Sequence, residues 1–254
     1  MDKIQLTIFI SRTSVHVAEV LRSTGQVKSS ASKLFEAVNE TNIKQVLTEF
    51  FSTLNWEDHY EEYTLSWVSP TATLVPSRIF EASDAEAILN LIASGTISKQ
   101  EVDYNRITEL DIVNVYQIPL WVKSFFILKF PKIALYHDFT VNIRALFQTS
   151  TYRTSVGLHI YTDHFMLLIA TKQQLVFANQ FEFQSKEDVL YYLMFALQQQ
   201  GLTEEKGTIH ATFLTEEGSE LLNELFQTMQ DKKLLTKFTQ ASINFAFKNQ
   251  LACV

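Results

Sequence analysis

Hydrophobic and polar positions change their period several times along the chain, and each change marks an element. Residues 4–20 (IQLTIFISRTSVHVAEV) are rich in β-branched and aromatic side chains and are interrupted once, by the polar run Ser11-Arg12-Thr13-Ser14. This pattern predicts two strands joined by a tight turn. A third strand is expected over 27–35, after the turn residues Ser23-Thr24-Gly25. The spacing then becomes helical: Ile43, Val46, Leu47, Phe50, Phe51 and Leu54 share one face, with Asn39 or Thr41 as the cap. The acidic run at 57–62 reads as a solvated loop. A strand over 63–69 follows, and Ser69-Pro70 opens the next turn.

The middle of the chain is less regular. Leu74-Val75-Pro76 leads into a short helix through Phe80, and Ser83 is placed to cap a second one. In that helix Ala87, Ile88, Leu91 and Ile92 are the expected buried face and Gly95 the stop. A strand is expected over 111–117, a helix over 120–130 ended by Pro131, a strand over 133–137, and a helix or helix-like connector over 140–149.

Residues 156–201 carry the strongest pattern. Strand segments over 156–171 and 175–183, joined by Lys172-Gln173-Gln174, run into an amphipathic helix. The Ser185 hydroxyl is placed to accept from the Asp188 backbone N–H, and Glu187 and Asp188 set negative charge on the positive end of the helix dipole. Val189, Leu190, Leu193, Met194 and Leu197 fall on one face, and Gly201 supplies the left-handed residue that ends the helix.

Setting 8–20 beside 158–170 aligns Ile10 with Ile160, Val15 with Phe165 and Val17 with Leu167, and brings the polar turns of the two hairpins into register. Each half then continues with a third strand, a helix (41–54 and 186–200), an acidic linker and another strand (63–69 and 208–214). Matching order over about seventy residues predicts an internal repeat. Strand-strand-strand-helix-strand order predicts an α/β protein of mixed sheets flanked by helices. The expected division is an N-terminal lobe at 1–150 and a C-terminal lobe at 151–254.

Composition narrows the classes of function. Hydrophobic residues make up 46% of the 254, with 20 Phe and 9 Tyr, while 6 Gly and 4 Pro are too few for long linkers, so the whole length is expected to fold. A net charge of −7 argues against nucleic acid as a partner. The single cysteine, Cys253, cannot form an internal disulfide, which fits a reducing compartment. The first residues lack a secretory pattern, and the longest apolar run, 165–170, is too short to cross a bilayer. The expectation is a cytoplasmic protein without a transmembrane segment. The six histidines show no metal-ligand spacing and have no cysteine partners, so no metal is expected.

The repeated order resembles the actin-like ATPase superfamily, in which two related lobes close over a nucleotide. More specifically, Leu74-Val75-Pro76, Asp111-Ile112-Val113-Asn114-Val115-Tyr116 and the run at 181–193 (FEFQSKEDVLYYL) are similar to recurring motifs of an uncharacterised bacterial family of unknown function with an actin-like fold. The resemblance covers nearly the whole chain. It implies a duplicated two-lobed fold and carries no activity of its own.

The chemistry of the larger superfamily can be tested residue by residue. Its first hairpin turn holds an Asp, a Gly and hydroxyls, so that backbone N–H groups meet phosphate and the carboxylate holds hydrated magnesium. The matching turn here, Ser11-Arg12-Thr13-Ser14, keeps hydroxyls alone. The second turn normally reads Asp-x-Gly; here Asp163 remains and Phe165 stands where glycine is needed. Where a Gly-Gly pair usually holds adenosine, residues 213–218 (FLTEEG) offer one glycine behind two carboxylates.

The candidate cofactor-binding residues are therefore Ser11, Thr13, Ser14 and Asp163, in the expected interlobe cleft, and no residue is assigned a catalytic role. The leading expectation is a non-catalytic actin-like scaffold or adaptor, a pseudo-ATPase that binds other proteins without a cofactor. The alternative is a divergent ATPase or kinase-like protein in which Asp163 holds the magnesium of Mg-ATP. Asp111 and Asn114 are expected to satisfy buried groups more than to bind ligand. Helical spacing explains most of Trp121, Phe125, Phe126 and Leu128 as core, and the alternative is that with Lys123 and Lys129 they make 120–130 a contact surface for a partner or for the periphery of a membrane. Of the adjacent Tyr191 and Tyr192, one is expected to face away from the core. Self-association is left open.

Overall fold

Strand β1 (Ile4–Ile10), buried on both faces from Gln5 onward, is the middle of a five-stranded sheet. It pairs antiparallel with β2 (Ser14–Leu21), which pairs antiparallel with β3 (Val27–Leu34). On its other side it pairs parallel with β4 (Glu62–Trp67), which is parallel to β8 (Ala134–His137). The order is β3-β2-β1-β4-β8. A parallel neighbour requires a crossover, and α1 (Glu40–Thr53) supplies it between β3 and β4. The period-two set Leu6, Ile8 and Ile10 packs in one core with Ile43, Leu47, Phe50 and Phe51 of α1 and with Trp121, Val122 and Phe126 of α3 (Leu120–Lys129).

The structure is a computed structural model that describes residues 3–35, 40–54, 56, 60–149, 153–213, 216–231, 237–241 and 243–253. The chain divides into two compact units, Met1–Val141 with Phe247–Val254, and Asn142–Ala246. Inserted in the first unit, β5 (Ala72–Pro76), β6 (Val102–Ile107) and β7 (Ile112–Gln117) form a separate antiparallel sheet in the order β5-β7-β6. With α2 (Ala85–Asn90) it has its own core of Phe80, Leu89, Ile97, Val113 and Val115. Asn105 ties this insert to the main sheet: its side-chain oxygen accepts from the His137 N–H at 2.8 Å and its amide donates to the Leu135 carbonyl at 3.2 Å. A side-chain amide thus occupies the open edge of β8 as a strand's backbone would.

The second unit contains β9 (Thr154–Ile160), β10 (His164–Thr171), β11 (Gln174–Glu182), β12 (Gly207–Phe213) and β13 (Lys237–Ala241) in the order β11-β10-β9-β12-β13. The pairings run antiparallel for β11-β10-β9 and parallel for β9-β12-β13, the same directions as in the first sheet. Its core gathers Val156, Leu158, Phe165, Leu167 and Ile209 from the sheet, Val189, Leu193 and Leu197 from α5 (Lys186–Gln199), and Leu222 and Leu225 from α6 (Glu216–Asp231). The remaining helices are α4 (Asp138–Thr149) and α7 (Ile243–Asn249). The fold is thus α/β with mixed sheets flanked by helices. No helix among the described residues is long and apolar enough to cross a membrane.

Several expectations need correction. The segment 156–171 is two strands split at 161–163, at the hairpin turn that alignment with the first half already placed around Asp163. Leu74-Val75-Pro76 belongs to β5 and is followed by a single 3-10 turn at Ser77–Ile79. Ser83 does not cap α2; its hydroxyl meets the Asp84 carboxylate, and the helix begins without a side-chain cap. The buried face of α2 is Ala85 and Leu89, while Leu91 and Ile92 are exposed beyond its end. The misplacement follows from counting period 3.6 from the wrong start in a helix of six residues. Because α1 starts at Glu40, Thr41 lies inside it, and Asn39 lies outside the described residues. Strand β6 is an element that its polar sequence (VDYNRI) conceals. The Ser185 cap holds as expected and is a full capping box with Asp188.

Candidate functional site

The two hairpin turns are built alike. In the first, the Ser11 N–H donates to the Ser14 carbonyl at 2.9 Å, and the Thr13 carbonyl accepts from the Phe35 N–H at 2.8 Å. In the second, the Tyr161 N–H donates to the His164 carbonyl at 2.9 Å, and the Asp163 carbonyl accepts from the Phe183 N–H at 3.4 Å. Ser11, Thr13 and Ser14 therefore come together in one turn of the first unit, and Asp163 occupies the corresponding turn of the second.

What the first turn offers a ligand is limited by its own serine. The Ser11 hydroxyl oxygen accepts from the N–H groups of Thr13, at 3.2 Å, and Ser14, at 3.0 Å, and lies 2.9 Å from the Ser14 hydroxyl. A phosphate cradle needs those backbone donors pointing outward, and here the side chain has taken them inward. Asp163 is 83% exposed at its side chain, and its carboxylate sits 2.6 Å from Nδ1 of the buried His164. The His164 ring stacks on Tyr161 at 4.5 Å and 15°. Phe165, at the position where glycine would be needed, is fully buried against Phe181, Phe183 and Tyr192.

A cavity of about 580 Å³ lies beside the second turn, wholly within the second unit. Ile160, Tyr161 and Thr162 form one wall at the end of β9, the start of α5 another, and the first turns of α6 a third. It brings Thr162 and Gly218 together, so the two segments that the resemblance associates with nucleotide do share a pocket. Leu214 and Thr215 lie outside the described residues.

Of the charges of this pocket, Glu187 was read from the sequence only as a helix-dipole charge, and Lys186, Glu220 and Glu224 were not singled out. Glu187, Glu220 and Glu224 stand against one lysine, Lys186. Lys186 is already paired with Glu224 at 2.6 Å, and that hydrogen bond raises its pKa above the usual lysine range. At the start of α5, the Gln184 and Ser185 N–H groups both donate to the Asp188 carboxylate at 2.9 Å, which holds that carboxyl below its ordinary range. The capping box thus consumes donors that a bound anion would use. The spacing of Glu220 and Glu224, one helical turn apart, was the available signal.

Other candidates resolve into structure. Asn114 is buried and donates from its amide to the Thr140 hydroxyl at 3.0 Å, while its side-chain oxygen has no partner among the described residues. Asp111 ends a 3-10 turn in the left-handed conformation, at φ 56°, and its carbonyl accepts from the Ser77 N–H. No cluster of His, Cys, Asp or Glu able to hold a metal occurs among the described residues. In α3, Trp121 and Phe126 are core, and Lys123 is bound to Asp103 at 3.0 Å and to the Val102 carbonyl at 3.1 Å. Of the tyrosine pair, Tyr191 is the one that is exposed.

Comparison with solved structures places this fold. A protein of Bacteroides thetaiotaomicron with an actin-like ATPase fold and unknown function superposes with a TM-score of 0.76 at 20% identity, covering 100% of this chain and 97% of that one. The PilM–PilN type IV pilus biogenesis complex gives 0.59 at 11% identity, covering 100% and 98%. The ethanolamine utilization protein EutJ of Carboxydothermus hydrogenoformans gives 0.56 at 7% identity, covering 99% and 90%. These likenesses establish the actin-like fold and nothing about activity. No curated protein matches the chain. The model of one family spans residues 2–247, and the chain accordingly belongs to that family, the proteins of unknown function DUF3822.

Proposed function

We propose that this protein is a non-catalytic actin-like scaffold or adaptor: two related lobes that bind other proteins and have lost the means to turn over a nucleotide. The carrying observation is the turn at Ser11, whose hydroxyl accepts the very N–H groups that a phosphate would need. Supporting it, the pocket beside the second turn holds three carboxylates and a lysine already neutralised by one of them. Like charges facing a triphosphate repel it, an effect that the exposure of all three carboxylates leaves to be screened by solvent and salt. Common strand order and matching turn hydrogen bonds support the reading of the lobes as copies of one unit. The PilM neighbour, found in a complex with PilN, supports a binding role by analogy of fold.

Melting with and without Mg-ATP tests this reading. A ligand at a hundred times its Kd stabilises by about 2.7 kcal/mol, which moves the Tm of a chain of this size by about 5 to 10 °C. The expected result at millimolar Mg-ATP is no rise. A rise of several degrees that Asp163→Ala abolishes would establish the rival reading, a divergent ATPase or kinase-like protein with Asp163 on magnesium.

A further inference from the structure

Helix α3 is apolar on two sides, and only one of them is covered. Trp121, Val122 and Phe126 enter the core of the first unit, whereas Leu120, Ile127 and Leu128 are exposed, Leu128 by 83%. Their spacing, one, eight and nine along the helix with Ser124 between, places them on a common side. Large aliphatic side chains aligned on a solvent-facing stripe lose hydrophobic free energy unless something covers them.

Beside that stripe, between α3 and α1, runs a groove of about 340 Å³ lined by Lys44, Thr48, Ser124, Phe125, Leu128 and Lys129. Its lining has two ammonium groups and no carboxylate, in a chain whose net charge is −7. Lys44 and Lys129 pair with no carboxylate among the described residues. Lys129 instead lies over the rings of Phe51, at 5.2 Å, and Phe130, at 5.6 Å, so that aromatic faces hold its ammonium at the mouth of the groove. The position is the reverse of the second-unit pocket, where carboxylates predominate.

We infer that the groove between α1 and α3 docks an amphipathic helix of a partner protein, with aliphatic residues at i, i+3, i+4 and i+7 and acidic residues along one flank. This rests on the scaffold reading and names one of its docking surfaces. Phe125 and Leu128 supply the apolar wall of the groove, and its concavity receives projecting side chains, as helix-in-groove recognition requires, while Leu120 and Ile127 add exposed apolar surface on the same helix. The lysines select the acidic flank and set the orientation of the incoming helix. A bilayer surface would cover the stripe and leave the concavity unfilled, which is why a helix is the occupant we assign.

The test uses the full chain as bait for a displayed library of short helical peptides, with counter-selection on the Leu128→Asp and Lys44→Glu variants. Both positions are at the surface, and unchanged melting of each variant confirms that it folds. The expected enrichment is for acidic peptides with the stated apolar spacing, whose binding, read by fluorescence anisotropy, weakens by about tenfold or more in either variant and falls with added salt. Enrichment of neutral or basic peptides, no enrichment, or binding indifferent to both variants overturns the proposal. So does sedimentation of the chain with phosphatidylglycerol vesicles that Leu128→Asp abolishes, since the occupant would then be lipid. A chain that fails here and still shows no Mg-ATP shift loses this groove and keeps the scaffold reading.

Discussion

His159 shows what burial does to a single titrating group. It is buried on β9 with Nδ1 2.6 Å from the Thr212 hydroxyl, and desolvation, with His210 nearby acting in the same direction, lowers its pKa to about 3. In the unfolded chain the value returns to about 6.5. Between those limits the unfolded state holds a proton that the folded state refuses, so stability is full above about pH 6.5 and declines as the pH falls, by ~1.4 kcal/mol per pH unit. His16, lowered by desolvation to about 4, acts with the same sign over a shorter window. Urea midpoints measured from about pH 7 to 4.5 should fall in the parent protein and fall less steeply in His159→Gln. Equal slopes would mean that His159 is not buried neutral. The same inward logic governs Ser11, whose hydroxyl serves its own turn.

Among the elements, α5 is the one whose boundaries follow most directly from local chemistry. Ser185 accepts from the Asp188 N–H, the Asp188 carboxylate accepts from the Ser185 N–H, and Gly201, at φ +66°, takes the left-handed position after the last turn. Ser185→Ala should therefore cost about 1 kcal/mol, seen as a fall in Tm of about 2 to 4 °C. Ser83→Ala, at a serine that caps nothing, should leave the Tm unchanged. If the two substitutions act alike, the capping box contributes no measurable stability. Helix α3 makes the complementary point: its sequence is apolar nearly throughout, and which apolar residues face out depends on where the core lies.

At the scale of the whole molecule, the last residues return to the first sheet. Gln250 is fully buried; its amide donates to the Ile8 carbonyl at 3.0 Å, and its oxygen accepts from the Thr64 hydroxyl at 2.8 Å. Thr64 in turn accepts from the Gln5 amide at 2.9 Å, and the Tyr136 hydroxyl donates to the Cys253 carbonyl at 2.5 Å. Gln250→Leu would leave the Thr64 hydroxyl and the Ile8 carbonyl without these partners, at a cost of about 1 to 3 kcal/mol for each buried group. Cys253, the chain's single cysteine and buried, provides the readout. Its rate of modification by a thiol reagent should rise in Gln250→Leu, and an unchanged rate would refute the role of Gln250 in holding this segment.

Apart from β5 and β6, the strands and helices up to β12 and the α5 cap were legible in the sequence, because alternation of period two, periodicity of 3.6 and a serine three residues before an aspartate act over a few residues and leave a local trace. The actin-like architecture was implied by the resemblance of the motifs, and α6, β13 and α7 were not read. Ser11 and Asp163 could be located in their turns, but not that the Ser11 hydroxyl turns inward or that Asp163 binds His164. Tertiary structure alone brought Lys186 to Glu224, Asn105 to the edge of β8 and Gln250 to Thr64. Such contacts join residues far apart in the chain, and they are selected by the shape and charge of the assembled surface, a property that no window of neighbouring residues contains.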